Sequence, residues 1–269
     1  MTRDPAGPIL SIRNVVIRFG GVVALAGVSF DVEPGQICGL IGPNGSGKTT
    51  LFNCISGIYR HSEGHIIFDG RPLKGIPRHR MAALGIGRTF QNVALFRRLT
   101  VADNILVGAH HLGRAGFSEH MLRLPSVRTE ERQARAALAE LLHLLDLEPV
   151  ANTVAGSLPF PAQKRVEMAR ALITRPKLLL LDEPAGGLNH AEVDELALLL
   201  QRIRSSFDLS ILLVEHHMSL VMRVSEKVVA LEFGRKIADG TPSEVRAEPE
   251  VIRAYLGETE EEAQHASAS

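Results

Sequence analysis

Residues 42–50 read GPNGSGKTT, a stretch that restricts the fold more than any other because it fits the phosphate-cradling spacing G-x-x-x-x-G-K-[ST]. Backbone N–H groups can converge on a triphosphate only where no Cβ atoms stand in the way, and Gly42, Gly45 and Gly47 supply that clearance. Lys48 is spaced to reach the β- and γ-phosphates, and Thr49 to place its hydroxyl on Mg²⁺. Pro43, Asn44 and Ser46 complete the cradle, and Thr50 leads into a helix whose positive end favours an anion. Residues 36–41 have the pattern of the short buried strand that must precede such a loop. The spacing predicts a nucleotide-binding α/β domain.

A second chemical signal lies at residues 178–184, LLLLDEP, where an apolar strand delivers two carboxylates at its C-terminal end. In a sheet that also carries a phosphate loop, Asp182 is placed to hold Mg²⁺ and Glu183 to orient or deprotonate an attacking water. Gln91, after the strand-like GRTF, is a candidate for Mg²⁺ or the water, and His216, after the strand ILLVE, for a hydrogen bond to the γ-phosphate. Alone, either is equally well an ordinary polar residue at a strand end.

Around these motifs, residues 9–19 and 22–32 alternate as two strands about Gly20-Gly21, and strands then alternate with helices, which argues for a mostly parallel sheet covered on both faces. Residues 92–162 are helical in character, with an amphipathic helix expected from Thr129, its N-cap, to Leu145. Further helices are expected over residues 163–174 and 192–205, and two strands and a closing helix over 226–256. The expected layout is one domain over residues 1–256, with a core at 9–91 and 163–235, and a disordered acidic tail at 257–269.

Lysine plus arginine equals aspartate plus glutamate at 30 each, so the charge balance does not point to nucleic acid as a partner. Cys38 and Cys54, beside the phosphate loop, read as small buried hydrophobes. No stretch approaches the ~20 apolar residues that span a bilayer, so a cytoplasmic location is expected, with any membrane contact made through a partner.

The ordered set of Phe19, GPNGSGKTT, TFQ at Gln91, a helical block, the segment at 158–172, LLLLDEP, Gly187-Leu188-Asn189 and His216 resembles the nucleotide-binding subunits of ATP-binding-cassette (ABC) transporters. The strings GIGRTFQNVALFRRLTVADN, DEPAGGLNHAE, LLVEHHMSLVM and VIRAYLGE resemble the ATPases of branched-chain amino acid importers, and an ATPase of lipopolysaccharide export is also similar. The resemblance implies a P-loop NTPase (RecA-like) core with an N-terminal antiparallel β subdomain and an inserted α-helical subdomain. It implies ATP and Mg²⁺ as cofactors, with Phe19 stacking on adenine. It also implies a second ATPase subunit, membrane-spanning permease subunits at the cytoplasmic face of the membrane and, indirectly, a solute-binding protein. A coupling helix of the permease would seat beside Gln91 and the helical subdomain, where exposed apolar residues such as Leu95 and Phe96 are expected.

One segment departs from the family. An LSGGQ-type signature is expected where this chain has Leu158-Pro159-Phe160-Pro161-Ala162-Gln163. Pro159 replaces a serine or alanine, and Pro161 replaces a glycine and removes an N–H donor. Because each signature serves the partner's phosphate loop, the loss predicts a heterodimer with one weakened site. The alternatives are that both prolines merely start a helix, or that the chain is a nucleotide-binding regulatory module with little hydrolysis. His217, where an acidic residue is usual, is a smaller departure.

Overall fold

The computed structural model of the chain describes residues 7–89, 94–109 and 125–255, with the side chains of the third segment described from residue 131. Strands β1 (Leu10–Phe19) and β2 (Val22–Val32) form the expected hairpin, with Phe19 opposite Val22 and Leu10 opposite Val32. β4 (Glu63–Phe68) joins the free edge of β1 and β5 (Arg71–Pro72) joins β4, giving an antiparallel sheet in the order β2-β1-β4-β5.

The second sheet has the order β10-β9-β3-β8-β7-β6. Its strands β3 (Ile37–Ile41), β6 (Ile86–Arg88), β7 (Leu178–Asp182), β8 (Ser210–Val214) and β9 (Lys227–Glu232) run parallel, and β10 (Arg235–Gly240) closes one edge antiparallel to β9. Every residue of β3, β7 and β8 is buried. That is why their sequences read as uninterrupted apolar runs rather than alternating ones: both faces of a parallel sheet are covered. This is the mixed α/β architecture that the resemblance implied.

Helices α1 (Lys48–Ile55), α2 (Met81–Leu84), α3 (Val101–Gly108), α4 (Pro125–Leu144), α5 (Phe160–Leu172), α6 (His190–Phe207), α7 (Met218–Val224) and α8 (Pro242–Ala247) follow in chain order, and residues 249–255 are helical. The hydrophobic core divides into two large clusters on either side of the parallel sheet and a smaller one under the C-terminal helices. The β subdomain and α1 build one cluster; α3, α4, α5 and α6 build the other against Leu179, Leu181 and Leu213.

Helix bounds differ from expectation in two informative places. α4 begins at Pro125, so Thr129 lies inside the helix and is not its cap; a proline sets the helical φ and lacks only an N–H that the first turn leaves unused. α5 begins three residues before Gln163, at Phe160, with Pro161 inside its first turn for the same reason. α6 and α8 have sharply defined starts, because Asn189 with Glu192 and Thr241 with Glu244 form reciprocal capping boxes. The expected tail at 257–269 lies outside the described residues.

Candidate functional site

Strands β3, β8 and β7 are neighbours and parallel, so the segments that follow them emerge along one edge of the sheet. Val214 stands level with both Leu40 and Asp182, which brings the phosphate loop, Glu215-His216 and Asp182-Glu183 together. Ligands in open α/β sheets bind beyond the carboxyl ends of the strands, and the phosphate loop, Asp182, Glu183 and His216 collect there.

The loop glycines are required by space as well as by conformation. Gly42 has φ 146°, and a Cβ there would stand 2.1 Å from the Leu231 carbonyl oxygen. Gly47 has φ 102°, and a Cβ would stand 2.8 Å from the Ala24 carbonyl oxygen. Gly45 has φ 76° with open space around it, so conformation alone selects glycine there. The buried Lys48 Nζ donates to the carbonyls of Gly42 at 2.6 Å and Pro43 at 2.8 Å, so the ammonium is held over the loop. Neither a side-chain cap nor a first-turn carboxylate competes for the N-terminal amides of α1, which leaves them suited to an anion. Asn44, Gly45 and Thr49 are exposed on the loop, and Ser46 is buried. The Gly234 amide donates to the Ser46 carbonyl at 3.0 Å, and the Gly42 amide donates to the Tyr255 hydroxyl at 2.9 Å. The loop is therefore braced from behind by two late segments of the chain.

Asp182 is buried and shares a hydrogen-bonded ion pair with Arg88, whose Nη2 donates to Oδ2 at 3.1 Å. Arg88 is itself held by Asn53 Oδ1 at 2.9 Å and by Ser56, and lies over the Phe52 ring. Burial raises the Asp182 carboxyl above its ordinary value, opposed by the positive charges of Arg88 and Lys48, and burial lowers Arg88 from its own. Asp182 Oδ1 has no hydrogen-bond partner among the described residues. A buried carboxylate oxygen without a donor fits a cation. Among the described residues no three histidines, cysteines or acidic side chains cluster as a metal cage. The Asp182 carboxylate and a hydroxyl such as that of Thr49 are oxygen donors of the kind that, together with phosphate oxygens, could hold Mg²⁺.

Glu183 and His216 touch: His216 Nε2 lies 2.7 Å from Glu183 Oε1, a contact that needs a proton on Nε2 when the carboxylate is ionised. Glu183 adopts φ 49°, in the left-handed region. Its amide donates to the Val214 carbonyl at 2.9 Å, and its carbonyl accepts from Lys164 Nζ at 3.1 Å and from the Gly186 amide at 3.1 Å. Phe19 is exposed at the β1–β2 turn and meets Tyr59 edge to face with ring centroids 5.1 Å apart. Gln91 lies outside the described residues, although the preceding Thr89 is buried beside Asp182, its hydroxyl accepting from the Asp182 amide at 3.4 Å.

Three side chains of the site were not singled out by sequence reasoning: Arg88, Tyr255 and Glu215. Glu215 had a usable signal, since ILLVE repeats the pattern of LLLLDE, an apolar strand ending in a carboxylate. Arg88 and Tyr255 carried none, because their partners are 94 and 213 residues away. In the signature segment, Pro159 is extended (φ −56°, ψ 150°) and caps α5, which then continues unbroken to Leu172. The Phe160 ring is 43% exposed and faces Gly187, with Lys164 Nζ 5.2 Å from its centroid. Phe96 is 52% exposed, but Leu95 packs against the core of the helical region and offers less to a partner than expected.

A family profile described as ABC transporter matches residues 25–186, and one described as branched-chain amino acid ATP-binding cassette transporter matches residues 235–261. The chain is 44% identical over 251 residues to the high-affinity branched-chain amino acid transport ATP-binding protein BraF of Pseudomonas aeruginosa, covering 93% of this chain and 98% of that one. It is 42% identical, with the same coverage, to LivG of Escherichia coli, which carries the same description. The lipopolysaccharide export ATP-binding protein LptB of Escherichia coli is 34% identical over 250 residues, with 93% and 97% coverage. Among solved structures, a nucleotide-free ATP-binding cassette of an ABC transporter superposes with TM-score 0.79 at 29% identity, covering 92% of this chain and 98% of that one. An ATP-binding cassette of an ABC transporter in its ADP conformation superposes with TM-score 0.78 at 28% identity, covering 93% and 98%.

Proposed function

The chain belongs to the ABC transporter ATP-binding family, and from that premise we propose that it energises the import of branched-chain or other hydrophobic amino acids. Identity of 42–44% along nearly the whole of two such importer subunits, against 34% for the lipopolysaccharide exporter subunit, supports this substrate class. Among the described residues no helix is long and apolar enough to cross a membrane. The chain would therefore reach the membrane through permease subunits, with Phe96, Leu99 and Val154 of the proposed helical subdomain exposed towards them.

The observation that carries the hydrolytic reading is the contact of Glu183 with His216 beside the phosphate loop. In the proposed reaction the loop amides and Lys48 hold the β- and γ-phosphates, Phe19 holds the adenine, and Thr49 with Asp182 binds Mg²⁺. The cation, when bound, neutralises charge that develops on the phosphate oxygens. Glu183 orients a water and takes its proton as the new O–P bond forms and the bond to the ADP oxygen breaks. His216 exchanges the Glu183 carboxylate for a γ-phosphate oxygen. A pure binding module needs neither Glu183 nor His216, and their pairing disfavours that reading.

Pro161 occupies the first turn of α5 without distorting it, so the helix survives while one outward N–H donor is gone. Losing a donor aimed at transition-state charge costs about 10²–10³ in rate. We place that loss in the site formed on the partner's phosphate loop, which favours a heterodimer with one weakened site.

The test is MgATP turnover by the chain alone and with candidate partner ATPases, each with and without Glu183→Gln. Turnover should need the partner and fall by about 10²–10⁴ in the variant. Strong homodimer activity abolished by the substitution would contradict the heterodimer; turnover that survives it would contradict the hydrolytic reading.

A further inference from the structure

Glu215 is a carboxylate that the proposed reaction does not use. It follows the last residue of β8, a strand buried along its whole length, and is itself 1% exposed. Burying an ionised carboxylate is costly unless donors meet it, and here they come from two loops. Oε1 accepts from the Ala185 amide at 2.6 Å. Oε2 accepts from the His216 amide at 3.0 Å and the His217 amide at 3.2 Å, and lies 3.2 Å from His217 Nδ1.

The placement of these donors gives the carboxylate its meaning. Ala185 is two residues beyond Glu183, at the start of the segment leading to Gly187-Leu188-Asn189, and His216 adjoins Glu215 itself. The segment is secured on its other side by Lys164, whose buried ammonium donates to the Glu183 carbonyl and is attracted by the charges of Glu167, Glu215 and Glu183. A hydroxyl or an amide side chain offers one oxygen. Only a carboxylate presents two acceptor oxygens, rigidly spaced, to two opposed sets of N–H groups.

We propose that Glu215 is a positioning residue for ATP hydrolysis, a two-oxygen clamp that sets the separation of Glu183 and His216 by holding the Ala185 amide with one oxygen and the His216 and His217 amides with the other. It touches no substrate. Its effect falls on the chemical step, because the phosphate loop that binds nucleotide is anchored elsewhere, by the Gly234 amide and the Tyr255 hydroxyl. This inference rests on the hydrolytic roles proposed for Glu183 and His216.

The test is Glu215→Gln in the same complex used for turnover, where an NH₂ group replaces one oxygen and confronts backbone donors. Misplacement of reacting groups by about 1 Å costs on the order of 10²-fold, so kcat should fall about 10- to 100-fold. KM and the affinity for a fluorescent ATP analogue with Mg²⁺ should stay within about twofold, because the phosphate loop is untouched. An unchanged kcat, or kcat, affinity and thermal midpoint falling together, would overturn the proposal. Should the variant not fold, amide hydrogen exchange in the unmodified protein decides: the Ala185, His216 and His217 amides should be as protected as that of Leu213 in β8. Exchange at the rate of open loops would overturn the clamp. Turnover surviving Glu183→Gln would instead remove the hydrolytic reading and leave the exchange result standing.

Discussion

Glu183 holds a left-handed backbone, which costs a non-glycine residue about 1–2 kcal/mol. The conformation persists because its amide and carbonyl are bonded to Val214, Gly186 and Lys164, and it turns the carboxylate towards His216. Glycine would relieve that strain, offset in part by its greater freedom in the unfolded chain. Glu183→Gly is therefore expected to leave the thermal midpoint unchanged or raise stability by up to about 1 kcal/mol while turnover disappears; a drop in the midpoint would contradict this account. The two cysteines are legible at the same scale, as small hydrophobes in a buried strand and helix. Burial pushes both thiols up to about 12, Cys38 entirely enclosed beside Gly39 and Cys54 in α1. At pH 8 the native thiolate fraction is on the order of 10⁻⁴, so a disulfide reagent should leave both unmodified until the protein is unfolded. Because the folded values are raised, the stability they contribute is complete below the ordinary thiol range and is lost as pH rises through it towards 12, where the unfolded thiols ionise first. The phosphate-loop glycines, Lys48, Asp182 and Glu183 could be read from spacing because each belongs to a short local pattern. Arg88 and Tyr255 could not, since each matters only through a contact that folding creates.

At the scale of elements, strands were easier to read than helix starts. The parallel strands announce themselves as apolar runs such as LLLL and ILLV, whose bounds follow from the polar residues at each end. Helix starts were misplaced at prolines, because a residue that ends a helix from inside is well suited to open one. Pro161 is the instructive case. It fits its turn without strain, yet a glycine there would add one N–H at the end of α5 that faces Gly187 through Phe160. Pro161→Gly should raise turnover of the homodimer by about tenfold or more, within the 10²–10³ that a single donor can supply. It should lower stability by about 0.4–1 kcal/mol through added freedom of the unfolded chain. Turnover unchanged in the homodimer would contradict the proposal that the altered signature weakens a site.

For the whole molecule, the order β10-β9-β3-β8-β7-β6 sets the strand that carries the phosphate loop in the middle of the sheet, between two strands from the far end of the sequence. Alternating strands and helices made the parallel sheet legible, but no local pattern specifies this order, which depends on which apolar surfaces meet. The order also bears on synthesis. A ribosome releases residues 37–48 early, yet the neighbours of β3 begin at Ser210 and Lys227, and the hydroxyl that holds the Gly42 amide belongs to Tyr255. A half-made subunit thus carries the nucleotide motif without the bed that shapes it, and is expected not to capture ATP. Chains truncated at residue 209 should fail to bind a fluorescent ATP analogue, and retained affinity would show that the loop forms without its late neighbours. Competence for nucleotide is expected only once residues 210–255 have been made.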